Sequence, residues 1–448
     1  MTNSIDQLRE TCKKISSSLN IHKYDVYGMK KEESSAGSKE KKPFALSAYH
    51  KNAVTLRIWN KENQVGITST SNLTEEGIKT AFEIALNSAL FFDKNMNYNF
   101  SPLCQEKINA EHSNQDQDFV SIQKLADAAV ECENTILNSH PSIKSVPYNK
   151  VTQNFYEKFY FNSDNAFRHQ TISSSFCYFF PLAQEENKVP RQLGHVTQAY
   201  YFKELDYSNC AKIALEKTIK YLNYEKVQSG NYTVVFAPEA FLDIVGAFAN
   251  FFNAQNILDN KSLSTKETLN TKIAAENFNI SDCPLHKDNI GAQFFDEEGT
   301  PTSEMAILEN GVLKNLIHTS YTAEKFNTKP SGHTSIGAKL TAHPYFLKIS
   351  SSKNATQTKP SSPKTFIYIE EVKALHAGIN ALQGSFSLPF DGFIVNQDKR
   401  VSIESATVAG DFLNLLKNII YVSPEEKSTP AGVCAEEIWV ESLSITGN

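Results

Sequence analysis

Apolar residues in the first half of the chain recur at two different spacings. Ile5, Leu8, Cys12, Ile15 and Leu19 follow one another every three or four positions, which predicts an amphipathic helix at the start of the chain. Similar spacing predicts further helices over about 72–92, 121–137 and 207–222. Alternating apolar and polar residues predict strands between these helices, over 24–29, 44–49, 53–59, 64–69, 155–161 and 171–180. The segment 30–42 is charged and rich in small residues, and it predicts a loop or a flexible tip.

The second half of the chain has more strand and turn signals. Residues 232–236 predict a strand, and Pro238 then opens a helix to about residue 252, because proline suits the first helical turn. Asn310-Gly311 predicts a hairpin between 305–308 and 312–317, since both residues accept the positive φ of a type I′ turn. A second hairpin is predicted between 393–395 and 400–403, around Asn396-Gln397-Asp398.

These elements predict an α+β fold in two domains. Residues 1–229 form an N-terminal antiparallel sheet with flanking helices, and residues 230–448 form a mostly antiparallel β domain. The chain has 40% hydrophobic and 21% charged residues, which is ordinary for a globular protein with a substantial core.

Charge and cysteine usage exclude several classes of function. A net charge of −6 gives no basic surface for nucleic acid. Seven scattered cysteines with no C-x-x-C pair argue against a disulfide framework and against a zinc ribbon. We see no signal peptide and no stretch of the ~20 apolar residues that a membrane-spanning helix needs. We therefore expect a soluble cytoplasmic protein with reduced thiols that does not enter membranes.

The chain carries no self-sufficient catalytic motif. A zinc-peptidase helix places two histidines about one turn apart, with a glutamate beside the first. None of the eleven histidines is followed by glutamate, and the nearest two, His333 and His343, are ten positions apart. The glycine patterns of nucleotide-binding loops are missing as well. Cys434 has no histidine near it in sequence, and we expect a buried structural thiol there.

Several segments, in order along nearly the whole chain, resemble the TldD/PmbA family, whose members were once described as gyrase modulators. They are the small-residue strand end 66–74, the strand and helix start 232–240, the acidic turn 295–302 with the hairpin at 309–311, the segment 376–393, and the tail pieces 409–413 and 442–447.

The resemblance implies that the chain is a TldE/PmbA-type subunit. TldD-type subunits carry H-E-x-x-x-H on the helix that begins here at Pro238, and a cysteine near the C-terminus. The matching residues are Leu242, Asp243 and Ala247, so leucine and alanine stand where the histidines would be. Cys434 falls outside the position of the ligand cysteine, which matches 423–428, where no cysteine occurs. The resemblance thus implies no metal in this chain and zinc in a TldD-type partner.

The resemblance also implies a function and partners. TldE-type chains pair with a TldD-like catalytic subunit, and the complex is a metalloprotease that cleaves unfolded or small peptides. This chain would shape the substrate cleft and the partner interface, and a homodimer in isolation stays open. From their place in the C-terminal signature, we expect His376, Asn380, Ser385 and Phe386 at the cleft or interface. The β-rich second domain suits an extended peptide, which can add a strand to a sheet edge.

Two alternatives stay open at this point. The chain could be an autonomous metallopeptidase with a non-standard metal site, built from distant residues such as His333, His343 and His376. It could instead be a binding protein that modulates DNA gyrase. Metal analysis of the purified chain and identification of its main binding partner separate these alternatives from the subunit hypothesis.

Overall fold

The structure is a computed structural model. It describes residues 2–91, 96, 98–108, 119–337, 339–352, 359–361, 363–397 and 399–447. Asp398, which the sequence assigns to a hairpin turn, lies outside these residues. Across the described ranges, no helix combines the length and the apolar character needed to cross a membrane.

The first half contains four α-helices and seven strands within the described ranges. In chain order they are α1 (Thr2–Ser18), β1 (Lys23–Lys39), β2 (Lys42–Trp59), β3 (Val65–Thr70), α2 (Glu75–Ala89), α3 (Ile122–Ser139), β4 (Ile143–Asn162), β5 (Phe167–Ala183), β6 (Arg191–Gln192), β7 (His195–Ala199) and α4 (Tyr207–Lys220).

The second half is mostly strands. Its elements, in chain order, are β8 (Tyr224–Glu225), β9 (Gly230–Phe236), α5 (Pro238–Ala247), α6 (Ala254–Leu258), β10 (Phe278–Asp282), β11 (Met305–Glu309), β12 (Val312–Leu313), α7 (Ser320–Phe326), β13 (Thr334–Ile336), β14 (Leu340–Ala342), β15 (Leu347–Ser351), β16 (Thr365–Val372), α8 (Leu375–Gly378), β17 (Ile379–Asn380), β18 (Ser385–Asn396), β19 (Lys399–Ile403), β20 (Ala406–Asp411), α9 (Phe412–Lys417), β21 (Ile419–Val422), β22 (Glu426–Thr429), β23 (Gly432–Ala435) and β24 (Ile438–Gly447).

A seven-stranded antiparallel sheet forms the first half. Its order is β3-β2-β1-β4-β5-β6, and β7 also pairs with β5. Side chains alternate between the faces of a strand, so Val26 and Ala36 share one face of β1. Val26 packs in a cluster with α1 and α2, and Ala36 in a cluster with α3 and α4. The helices therefore cover one face of the sheet and leave the other for the second half of the chain.

One prediction for this sheet was wrong. Most of the segment 30–42 is strand, because β1 continues to Lys39 and pairs with β2 on one side and β4 on the other; the turn of the hairpin is limited to Glu40 and Lys41. The runs 44–49 and 53–59 are likewise parts of the single strand β2. Charged side chains of β1 pair along the strand, as Lys31 does with Glu33 at 2.8 Å. The small residues 35–38 are buried beneath α3, so charge and small size here belong to a paired strand rather than to a break in the sheet.

Loops of the second half pack on the open face of this sheet. Tyr27 and Tyr160 lie there in a buried cluster with Phe294 and Phe295. Gly299 has φ +75°, and a Cβ at this position would lie 2.4 Å from Cδ1 of Tyr160. Only glycine suits both this backbone conformation and this close approach. The acidic turn around Gly299 thus fixes how the second half contacts the sheet.

Within the described residues, two large sheets, the two-stranded sheet β13-β14 and the largest core form the second half. A nine-stranded sheet has the order β16-β9-β24-β20-β18-β19-β8, and the pairing of β16 with β18 closes five of its strands into a ring. A six-stranded sheet has the order β12-β11-β10-β15-β23-β22. Helix α5 packs against β16 of the first and against β15 and β23 of the second. Aromatic residues fill this core; Phe248, for example, stacks on Phe412 with ring centroids 4.4 Å apart.

The structure confirms the predicted fold class. The sheet of the first half is antiparallel with flanking helices, and the second half is mostly antiparallel, with parallel exceptions such as β9–β16 and β15–β23. Both predicted hairpins form, as β11–β12 and β18–β19. Asn310 and Gly311 have φ of 51° and 74°, as a type I′ turn requires.

Candidate functional site

Helix α5 forms one wall of a cavity of about 700 Å³. The helix begins at Pro238 and buries Phe241, Ile244 and Val245 in the largest core. Because a helix turns about 100° per residue, Asp243 points away from these residues and lines the cavity. The lining residues come from α5 and the turn after it, the start of β15 and the segment before it, α8, β17 and the turn before β23: Leu242, Asp243, Gly246, Ala247, Ala249, His343, Pro344, Tyr345, Leu347, Leu375, His376, Ile379 and Ala431.

A buried hydrogen-bond network fixes the wall opposite α5. One carboxylate oxygen of Asp282 accepts the backbone N–H groups of Tyr345 and Phe346, both at 2.8 Å. The other lies 2.7 Å from Nε2 of His333, and both side chains are fully buried. The His333 ring stacks on Tyr345 at a centroid distance of 5.1 Å. Asp282 and His333 therefore fix the position of the segment that carries Tyr345, although neither of them lines the cavity.

The electrostatics of the cavity centre on Asp243. Burial, and secondly the neighbouring Glu239, raise the pKa of Asp243 to about 6. Asp243 in turn helps to raise the pKa of Glu371, for which burial is the main cause. On the opposite wall, burial and then His333 lower the pKa of His343, which disfavours the charged form of its ring. The wall that carries Asp243 is thus acidic, and the lowered pKa of His343 disfavours a positive charge on the wall that carries the histidine.

The residues of α5 do not fit a zinc ion in the position that the family resemblance indicates. Leu242 and Ala247 carry no donor atom, and Leu242 is 3% exposed. Cys434 is fully buried on β23, and burial raises the pKa of its thiol well above the ordinary value. Among the described residues, no three histidine, cysteine, aspartate or glutamate side chains are placed so that they could hold a metal ion.

The structure brings one of the four C-terminal signature residues to this cavity. His376, on α8, lines it beside the α5 positions Leu242, Asp243 and Ala247. The family resemblance gave these residues separate roles, a lost metal motif on α5 and a cleft or interface position for His376, and more than a hundred positions separate them in the sequence.

The other three signature residues lie close by but outside the cavity lining. Asn380 and Ser385 pair across β17 and β18 and are exposed. The Asn380 side chain is engaged by Gln383, whose backbone N–H it accepts at 3.1 Å. Phe386 is 3% exposed and packs edge-on against Phe248. A place at the cleft or interface stays a prediction for all three.

Sequence reasoning missed the groups that build the opposite wall. Asp282 and Tyr345 are 63 positions apart, and no local spacing connects them. It also missed a buried ion cluster in which Arg57 of β2 contacts Asp25 of β1 and Glu298. Glu298 belongs to the acidic turn that carried part of the resemblance, but the sequence around Arg57 offers no matching signal.

Comparison with protein-family models matches two regions of the chain. Residues 116–222 match the PmbA/TldA metallopeptidase central domain, and residues 229–447 match the C-terminal domain of the same metallopeptidases. A Haemophilus influenzae protein named metalloprotease PmbA homolog is 24% identical over 403 residues, which cover 86% of this chain and 84% of that protein.

Solved structures show the same fold. A Thermotoga maritima protein, described as a candidate modulator of a DNA gyrase, superimposes with a TM-score of 0.86 at 22% identity. The match covers 99% of this chain and 100% of that one. TldE from Thermococcus kodakarensis gives a TM-score of 0.84 at 16% identity, with coverage of 99% and 100%.

Proposed function

The chain belongs to the PmbA/TldD family of metallopeptidases, and from this premise we propose that it is a TldE/PmbA-type subunit without a catalytic centre of its own. It would act in a complex with a TldD-like catalytic subunit that holds the zinc. The complex would cleave unfolded or small peptides, and this chain would supply part of the substrate cleft and the partner interface.

The donor set on α5 is the observation that carries this proposal. A hydrolytic zinc needs three protein ligands and an open position for water. The two α5 positions in question present an aliphatic side chain, Leu242, and a methyl group, Ala247. Asp243, which follows Leu242 directly, is acidic, as is the glutamate of the H-E-x-x-x-H motif. This combination supports a cavity that binds substrate without cleaving it.

The surroundings of the cavity support binding of an extended peptide. Strand β22 forms one edge of the six-stranded sheet and packs against α5. A free sheet edge offers unpaired backbone groups with which a peptide can pair. We place the protein in the cytoplasm because all seven cysteines are free, buried thiols, as reducing compartments favour. A homodimer in isolation is part of the same proposal.

Co-expression with the TldD-type protein of the same organism tests the proposed function. Each chain alone and the purified pair are assayed with an unstructured fluorogenic peptide, with and without a chelator. We expect cleavage by the pair, loss of cleavage with the chelator, and none by this chain alone. Failure of the two proteins to form a complex, or equal activity of the TldD-type protein alone and paired, would contradict the proposal.

Two other functions predict different outcomes. An autonomous metallopeptidase using His343 and His376, which both line the cavity, would cleave peptide without a partner. A gyrase-modulating protein, suggested by the description of the Thermotoga maritima structure, would retain a gyrase subunit rather than a TldD-like protein in a pull-down. Either result would replace the subunit proposal.

A further inference from the structure

Asp243 presents a carboxylate without a protein partner to the cavity. Among the described residues, no hydrogen bond or ion pair reaches its side chain, whereas its neighbour Glu239 pairs with Lys427 at 3.2 Å. A half-buried carboxylate loses hydration that it would have in open solvent, and it is stabilised when a cation takes the place of that water. The side chain therefore offers one unfilled interaction that a ligand can supply.

The charges around Asp243 favour a cationic ligand group. Glu239 and Glu371 are the charged groups whose electrostatic effects couple to Asp243. The Lys427 amine is engaged by Glu239. An anionic ligand would meet repulsion at this wall, an apolar one would leave the carboxylate without a partner, and a neutral donor would leave its charge uncompensated. Charge complementarity thus selects an ammonium or a guanidinium group.

The remaining walls favour an apolar stem on that cation. Leu347, Leu375 and Ile379 line the cavity, and Tyr345 adds an aromatic face. A volume of about 700 Å³ lies within the range of small-ligand and peptide side-chain pockets. Lysine and arginine side chains combine an apolar stem with a charged end. A peptide amino terminus offers the same chemistry when the side chain of its first residue is apolar.

We propose that this cavity is a subsite for a cationic group of a bound peptide, with Asp243 as its counter-ion and the leucine and isoleucine side chains around its stem. The inference rests on the proposed function, because it names the kind of peptide that the subunit would hold. The geometry assigns Asp243, at the position of the catalytic glutamate in TldD-type chains, a role in binding rather than in proton transfer.

Peptide binding to the full-length chain tests this subsite. Three fluorescent pentapeptides differ at the central residue, which is lysine, norleucine or glutamate, with both ends blocked. A fourth carries norleucine and a free amino terminus, and it separates the two sources of the cation. Anisotropy titrations are run with the chain alone and with the purified pair. We expect the lysine or the free-amine peptide to bind about 10-fold more tightly than blocked norleucine, as one charge-assisted hydrogen bond provides.

Variants at Asp243 assign the preference to this side chain. Asp243→Asn should abolish the preference for the cation while keeping the affinity for blocked norleucine. Asp243→Lys should reverse the order and favour glutamate. Asp127→Asn, on the exposed surface of α3, is the matched control and should change nothing. Circular dichroism and thermal melting verify that each variant is folded.

Three results would overturn the inference. They are equal affinities for the lysine, free-amine and blocked norleucine peptides, a cation preference that survives in Asp243→Asn, and no peptide binding by either the chain or the pair. The first two leave the subunit proposal intact, because cleavage by the pair is measured separately. Failure of the pair to assemble would overturn the proposed function while peptide selectivity of the lone chain could persist.

Discussion

Replacing Arg57 with leucine tests how the two halves of the chain are held together. Arg57 is fully buried, and its Nε donates to both oxygens of Asp25 at 3.0 and 3.2 Å. Its Nη1 donates to Glu298 at 2.7 Å, so one guanidinium joins the first sheet to the acidic turn of the second half. Arg57→Leu keeps an apolar side chain of moderate size and removes the charge from between two buried carboxylates.

The loss of stability in Arg57→Leu depends on the hydrogen bonds that each carboxylate retains. Glu298 still accepts the backbone N–H of Ser320 at 2.9 Å and the hydroxyl groups of Ser320 and Thr334. Asp25 retains the Tyr160 hydroxyl at 3.1 Å. Since breaking a buried ion pair by removing one partner costs about 3–5 kcal/mol, we expect a loss of that size in the free energy of unfolding at about pH 7.5. Most of it should come from Asp25.

Urea unfolding followed by tryptophan fluorescence measures the loss. The chain has two tryptophans; Trp59 lies in the first sheet, close to Arg57, and Trp439 lies in the second half. Variants that retain one tryptophan each report on one half. Adding Asp25→Asn to Arg57→Leu should recover roughly half of the loss, because the neutral amide leaves no unpaired charge. Arg9→Leu, which removes an exposed pair with Asp6, is the control and should cost less than about 1 kcal/mol.

The pH dependence of the loss provides the sharpest test. Burial already raises the pKa of Asp25, and Arg57 opposes that rise. Without Arg57, the folded-state pKa of Asp25 rises further above its unfolded value of 3.8. The penalty is then present at neutral pH and disappears as the pH falls toward the unfolded pKa, because the folded state takes up the proton. A loss under about 1 kcal/mol, or one independent of pH between about 5 and 8, would refute the reasoning.

Three further substitutions test other parts of the account. Burial and Glu239 raise the pKa of Asp243 to about 6, so ionisation of this side chain above that pH destabilises the folded state. Asp243→Asn should therefore raise the free energy of unfolding by about 1 kcal/mol at alkaline pH and change it little at about pH 4. Urea titrations at the two pH values measure the difference. Gly299→Ala should lower the melting temperature and cost about 1–3 kcal/mol, since the added Cβ meets Tyr160; Gly291→Ala, where the nearest contact is 3.6 Å, is the control. Phe386→Ala should cost about 3–5 kcal/mol, whereas exposed Ser385→Ala should stay within about 0.5 kcal/mol in the same assay.

The predictable parts of the fold are those with a local physical cause. Asn310-Gly311 specified its hairpin because both residues tolerate positive φ. Pro238 marked the start of α5 for an equally local reason. The segment 30–42 could not be predicted in this way. Its strand conformation comes from pairing with β2 and β4, and β4 lies more than a hundred positions away.

The candidate site was predictable on one wall. The family resemblance identified Leu242, Asp243 and Ala247 on α5 and, separately, His376 as a cleft or interface candidate; their common cavity is seen only in the structure. The opposite wall depends on Asp282, which holds Tyr345 through backbone hydrogen bonds across 63 positions. Such contacts arise when β10 and β15 pair, and no pattern of side chains near either residue encodes them.

Zinc stoichiometry of the isolated chain tests the central claim most directly. The purified chain is stripped with a chelator, reloaded with excess zinc, desalted and analysed by mass spectrometry for bound metal, and the same sample is assayed for peptide cleavage. We expect well under one zinc per chain and no cleavage, since the Leu242 and Ala247 side chains offer no ligand atoms. One tightly bound zinc per chain together with chelator-sensitive peptide hydrolysis would contradict it.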